Sequence, residues 1–147
     1  MVARPKDTLE DLKRKVRIAT LLGTLQSTLT NFRYLRAIWK KNAEEERLLG
    51  VSITGIMDHP VLNGSKGYKE LIEYLSVLKE ESINANIEYA NALGIERSAA
   101  ITCVKPSGTV SQLVDAASGI HPRYEPYYIR TVRADVKDPL AVFLQKQ

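Results

Sequence analysis

The chain has almost no cysteine or histidine. Of its 147 residues one is cysteine, Cys103, and two are histidine, His59 and His121. A single cysteine excludes an internal disulfide and a cysteine-based metal site. The two histidines stand far apart, each just before a proline, in Asp58-His59-Pro60 and Ile120-His121-Pro122. That is not the spacing of a metal centre, and their proline neighbours favour a role in turns. Aromatic residues make up only 7%, and no apolar run approaches the roughly 20 residues of a membrane span. The residues from Met1 to Asp7 lack the apolar core of a secretion signal. A cytoplasmic location is expected, with no membrane partner.

The charge is positive but scattered. The net charge is +4, yet Lys13-Arg14-Lys15 stands beside Glu10-Asp11. No basic stripe is interleaved with aromatics, so nucleic-acid binding is not expected. Apolar residues at 44% and charged residues at 26% describe one globular domain rather than a disordered chain.

Asp7 or Thr8 can cap a helix whose first turn carries Glu10 and Asp11. Leu9, Leu12, Val16, Ala19 and Leu22 then recur at helical spacing. The pattern runs on through Leu25 and Leu29 towards Asn31. Phe32, Tyr34, Leu35, Ile38 and Trp39 form the largest aromatic patch and are expected in the core. Val51 to Met57 is a β-branched run that reads as a strand. Asp58 to Lys66 holds loop formers, and Gly67 to Leu93 reads as a second long helix closed by Gly94. Ser98 to Val104 is the next strand and holds Cys103 as a small buried hydrophobe. A short helix follows over Thr109 to Asp115. Tyr127 to Val132 is expected as a third strand and Pro139 to Leu144 as a helix. The order βαβαβ predicts an α/β fold, a partial parallel sheet with long helices. Ligands of such sheets gather at the carboxyl ends of the strands.

The loop after Val104 lies at such an end. Pro106 and Gly108 break the apolar run, and Thr109 starts the helix. A strand that turns through Ser, Gly and Thr into a helix aims free backbone amides at one point. Those amides suit a phosphate. Lys105 adds a positive charge beside them. The candidate phosphate-binding residues are Pro106, Ser107, Gly108, Thr109 and Val110. This is not a Walker loop. The same residue types also make ordinary capped turns, so a turn with no ligand is the other reading.

The wider text carries a resemblance. Thr24-Leu-Gln-Ser-Thr-Leu-Thr-Asn-Phe-Arg-Tyr-Leu-Arg, Glu44-Glu-Glu-Arg-Leu-Leu-Gly-Val-Ser-Ile-Thr-Gly-Ile, Lys105-Pro-Ser-Gly-Thr-Val-Ser-Gln, Gly119-Ile-His-Pro and Tyr127-Tyr-Ile-Arg-Thr-Val-Arg together resemble ribonucleotide reductase. They are most similar to the adenosylcobalamin-dependent (class II) catalytic chain, from about Arg4 to Leu140. The resemblance implies a segment of the ten-stranded α/β barrel of that family, about one quarter of it, with no complete barrel. It implies nucleotide substrate phosphates held by the amides of Pro106 to Val110. It also implies adenosylcobalamin as cofactor, bound outside this chain.

The family's chemistry needs a radical-bearing cysteine, two reducing cysteines, a glutamate and an asparagine. One cysteine cannot supply three, and Cys103 sits where the family places small or apolar residues, so no catalytic residue is assigned. The isolated chain is expected to be inactive. Two readings follow. The chain is one piece of a split reductase completed by a complementary fragment, or it is a non-catalytic remnant that binds nucleotide phosphates weakly or self-associates.

Overall fold

Thr8 starts the first helix by satisfying amides the helix cannot satisfy itself. In the computed structural model, which describes residues 1–129 and 131–147, its hydroxyl accepts from the Asp11 amide at 3.2 Å. The Asp11 carboxylate in turn accepts from the Thr8 amide at 3.0 Å, a reciprocal capping box. Helix α1 (Leu9–Gln26) stops short of the expected Asn31. Ser27 and Thr28 turn their hydroxyls back onto the carbonyls of Thr24 and Leu25, each at 2.7 Å. Short polar side chains of this kind compete with the helical ladder.

Helix α2 (Ala37–Glu46) closes at Arg47 in left-handed backbone, φ 43°. The aromatic stretch before and within it corrects the expectation of a core. Tyr34 is 97% exposed, and Phe32, Leu35, Ile38 and Trp39 are exposed as well. Spacing shows which side chains share a helix face, but something must cover that face before it is core. No residue of α2 is buried.

Helix α3 (Tyr68–Leu93) ends on Gly94 at φ 65°, as its C-terminal glycine foretold. It packs along α1. The buried faces are unusually small and polar: Leu12, Val16, Thr20 and Thr24 on α1, Leu78, Ser82, Ala85, Asn86 and Ala90 on α3. Tyr68, Leu75, Ile83 and Leu93 of the same helix are exposed. Asn86 donates to Thr24 Oγ1 and Ser98 Oγ, both at 3.0 Å, and accepts from the Ser98 amide at 2.9 Å. One buried amide group therefore joins α1, α3 and the segment that follows α3. At the rim, Arg17 pairs with Glu81 and Glu88 and lies 5.3 Å from the Tyr89 ring centre.

The expected sheet is not formed: among the described residues there is no strand. Extended backbone at 1–3, 49–54 and 99–103 lies side by side instead, joined by two isolated parallel bridges, Val2 with Thr54 and Val51 with Thr102. Main-chain bonds of 2.9 Å from Ala3 N to Thr54 O, Thr54 N to Met1 O and Val51 N to Ile101 O make the junctions. Each ladder is cut short by its own sequence. Gly55 swings the chain away at φ 79°, where a Cβ would lie 2.4 Å from the Ala3 carbonyl oxygen. Pro106 has no N–H with which to continue the third segment. The parallel order thus survives without a sheet or barrel. Of the third expected strand, Tyr127 to Ile129 is irregular and exposed, and Arg130 lies outside the described residues. Met1–Ala3 takes the place beside Thr54.

The core is modest. Ala3, Val51 and Ile101 from the extended segments meet Leu12, Val16, Leu62 and Leu78. His59 is fully buried beside them. Its Nδ1 accepts from the Val61 and Leu62 amides at 3.2 Å, so Nε2 carries the proton and donates to the Asp7 carbonyl at 3.0 Å. Its proline-flanked turn role is confirmed, in the interior.

Beyond that core lie two short helices, α4 (Thr109–Leu113) and α5 (Pro139–Gln145). The segment after α4 is held by Arg123. Its guanidinium bonds both oxygens of Asp58, at 2.9 and 3.1 Å, and Asp115 at 2.7 Å. Burial by itself would raise the Asp58 carboxyl, but Arg123 and the Ala117 amide outweigh it and hold it below the usual range.

Two outcomes follow. Asn86→Ala leaves the Ser98 amide and hydroxyl without a buried partner and takes one of two partners from the Thr24 hydroxyl; it should cost about 3 kcal/mol in urea unfolding, and an unchanged midpoint would contradict the network. For Asp58 the folded carboxyl ionises more readily than the unfolded one. Its contribution is therefore complete above about pH 4 and drains away as pH falls further. The stability gap between the parent and Asp58→Asn should be full at neutral pH and close at lower pH. A gap that stays constant down the pH series would remove Asp58 from the account.

Candidate functional site

Ser107 is the anchored residue of the Lys105–Val110 loop. Its amide donates to Ser118 Oγ at 3.2 Å, and its carbonyl accepts from the Ser118 hydroxyl at 2.6 Å and from the Ser111 hydroxyl. Its own hydroxyl lies 2.7 Å from Thr54 Oγ1. Gly119 closes the other side of this knot at φ 56°, where a Cβ would come within 2.8 Å of the Lys105 carbonyl oxygen. A glycine is required there.

The remaining candidate residues face outward. Pro106, Gly108, Thr109 and Val110 are exposed, as is Lys105. Gly108 precedes α4 without any side-chain cap. The amides of Gly108, Thr109 and Val110 donate to no acceptor among the described residues. They belong to the first turn of α4, where the helix offers them none. Of the five expected residues, then, the amide of Ser107 is already engaged, Pro106 has no amide to give, and three present free amides to solvent. Lys105 forms no ion pair with a described residue and leaves its charge available beside them.

Behind α4 lies a polar cleft of about 470 Å³ lined by Gln112, Asp115, Arg123, Tyr124 and Tyr128. The Tyr128 hydroxyl reaches Gln112 Oε1 at 3.3 Å. A larger cleft of about 650 Å³ lies elsewhere, between the end of α1 and α2, and is walled by Phe32, Leu35 and Trp39.

Cys103 departs from expectation. It is exposed rather than buried and borders an open apolar groove of about 370 Å³ with Val51, Ile56, Leu75, Leu78 and Val104. The expected strand around it bridges Val51 at Thr102, and the Cys103 amide donates to the Val51 carbonyl at 3.0 Å.

Thr54, Ser118 and Arg123 were not singled out from the sequence. Thr54 carries a signal in retrospect: a hydroxyl inside a β-branched run, followed at once by a glycine. Arg123 carries none, because its partners are 65 and 8 residues away.

No helix among the described residues is long and apolar enough to cross a membrane. No group of three or more His, Cys, Asp or Glu side chains there is placed to hold a metal ion. His59 spends both ring nitrogens on backbone groups, and His121 turns Nδ1 to the Ser118 carbonyl.

Comparison with known proteins adds a likeness that covers most of the chain. No family model matches it, and no solved structure does. Among curated proteins it is 30% identical to the adenosylcobalamin-dependent ribonucleoside-triphosphate reductase of Lactobacillus acidophilus, over 86% of this chain and 20% of that relative. Proteins of the same name from Lactobacillus helveticus and Lacticaseibacillus paracasei are 31% and 33% identical, over 70% and 75% of this chain and 17% of each relative. The chain spans about one fifth of the length of these relatives. It is similar, over most of its own length, to one segment of an adenosylcobalamin-dependent ribonucleoside-triphosphate reductase.

Proposed function

We propose that the chain is a segment of a ribonucleoside di- or triphosphate reductase that contributes the substrate-phosphate-binding loop, Pro106 to Val110. The observation that carries this reading is the set of three outward amides at Gly108, Thr109 and Val110, uncapped and exposed beside Lys105. Converging N–H groups with an adjacent ammonium stabilise phosphate oxygens without any side-chain base. The likeness to triphosphate reductases supports the same ligand class.

The rest of the reaction belongs to a partner. A single cysteine, exposed and remote from any second thiol, cannot deliver a radical and two reducing equivalents. Among the described residues no group of three or more His, Cys, Asp or Glu side chains is placed to hold a metal ion, and the adenosylcobalamin that the relatives' name carries is assigned to the partner. A complementary reductase polypeptide would bring the cofactor site, the reducing cysteines and the missing strands. A second reading, a remnant that self-associates, is favoured by a different observation. The exposed Phe32-to-Trp39 stretch and the open groove beside Cys103 leave more apolar surface than a lone domain usually shows.

Gly108→Val tests the loop. A side chain at position 108 meets no protein atom within 4 Å, so the variant should fold like the parent while crowding an incoming phosphate. Titration calorimetry with a nucleoside triphosphate should show affinity reduced about tenfold, a loss of the order of one hydrogen bond to a charged group. Equal affinity in parent and variant would remove the loop from the ligand.

A further inference from the structure

Thr54 stands at the far end of a knot that the phosphate loop alone does not explain. It is 9% exposed, and its backbone is clamped between Met1 and Ala3 through two 2.9 Å bonds. Its hydroxyl has three partners. It donates to the Ala117 carbonyl at 2.9 Å, accepts from the Gly119 amide at 3.1 Å, and meets Ser107 Oγ at 2.7 Å. A hydroxyl has one proton and two lone pairs. The proton goes to Ala117, because a carbonyl can only accept. The contact with Ser107 must then be made by the Ser107 proton.

That assignment changes what Ser107 can do. Its proton is committed inward to Thr54 and its amide is committed to Ser118, so neither donor is free for a ligand. We infer that Thr54 is a positioning residue of the phosphate-binding loop: its hydroxyl fixes Ser107 as the loop's inner anchor, and the ligand is left to the amides of Gly108, Thr109 and Val110. The inference rests on the phosphate reading above for its functional meaning and on the Thr54 bonds for its geometry. Ser118 completes the anchor from the other side. Its hydroxyl takes the Ser107 amide and returns its proton to the Ser107 carbonyl, so N, Oγ and O of one residue are all held. Gly119 lies so near the loop's entry that a Cβ on it would come within 2.8 Å of the Lys105 carbonyl oxygen.

The experiment compares Thr54→Val, Thr54→Ser and Ser107→Ala in the 147-residue chain. Two readouts are used: amide hydrogen exchange at Ser107 and Gly119, and tripolyphosphate titration. Thr54→Val keeps the side-chain shape and removes the hydroxyl. Exchange at both amides should accelerate about tenfold and tripolyphosphate affinity should fall about tenfold. Thr54→Ser should restore both. Ser107→Ala removes the same bond from the loop side and should reproduce the affinity loss, with little further effect in the double variant. If Thr54→Val fails to fold, as judged by circular dichroism, Ser107→Ala decides the matter alone. Unchanged exchange and affinity in Thr54→Val, or a Thr54→Ser variant as impaired as Thr54→Val, would overturn the inference. Parent chain that ignores tripolyphosphate while Thr54→Val still frees the Ser107 amide would overturn the phosphate reading and leave the anchor standing.

Discussion

The packing of α1 along α3 is the contact on which the other parts of the molecule rely. Beyond Leu12, Val16 and Leu78 the buried faces carry small or polar residues, so the apolar interface is modest. Such a seam gains little from area alone, and a buried amide without partners in it would be costly. Asn86 avoids that cost by pairing with Thr24 and Ser98. Because Ser98 opens the run towards Thr102, the same bonds set where the third extended segment begins. Its pairing with Val51, and through Thr54 the position of the Lys105–Val110 loop, follows from that placement.

The molecule is well tied inside and poorly covered outside. Internal junctions are specific: His59 organises a turn through three backbone partners, Thr54 fixes Ser107, and Arg123 draws the segment after α4 onto Asp58. Yet Tyr34 is 97% exposed, Val104 76% and Ile129 98%, and Cys103 borders an open apolar groove. Unpaired parallel segments are rare in isolation because each lacks a neighbour for its N–H and C=O groups and a cover for its faces. The same chain spans about a fifth of the length of the relatives it matches.

Much of the local structure was legible. Thr8, Glu10 and Asp11 marked the start of α1, Gly94 marked the end of α3, and Pro139 the start of α5, because caps and breakers act within a few residues of where they stand. The parallel pairing of the Val51 and Thr102 segments was legible too, while that of Met1–Ala3 beside Thr54 was not. Their failure to form strands was not, since strand formation depends on lateral partners that no local pattern records. The aromatic stretch misled for the same reason. Helical spacing from Phe32 to Trp39 describes a face, and nothing described here covers it.

At the site the division is sharper. Residue types around Pro106 and Gly108 were enough to locate a bend with free amides, since a turn running into a helix start always leaves them. Which amides stay free was settled only by the fold: Ser107 lost its donors to Thr54 and Ser118, 53 and 11 residues away in sequence. Sequence by itself determined the start of α1, the course and end of α3, the start of α5 and the position of the loop, because those follow from short-range sterics and hydrogen bonding. Tertiary structure alone decided the burial of Asn86, Thr54 and His59 and the exposure of Cys103, because burial is a property of what arrives from elsewhere in the chain.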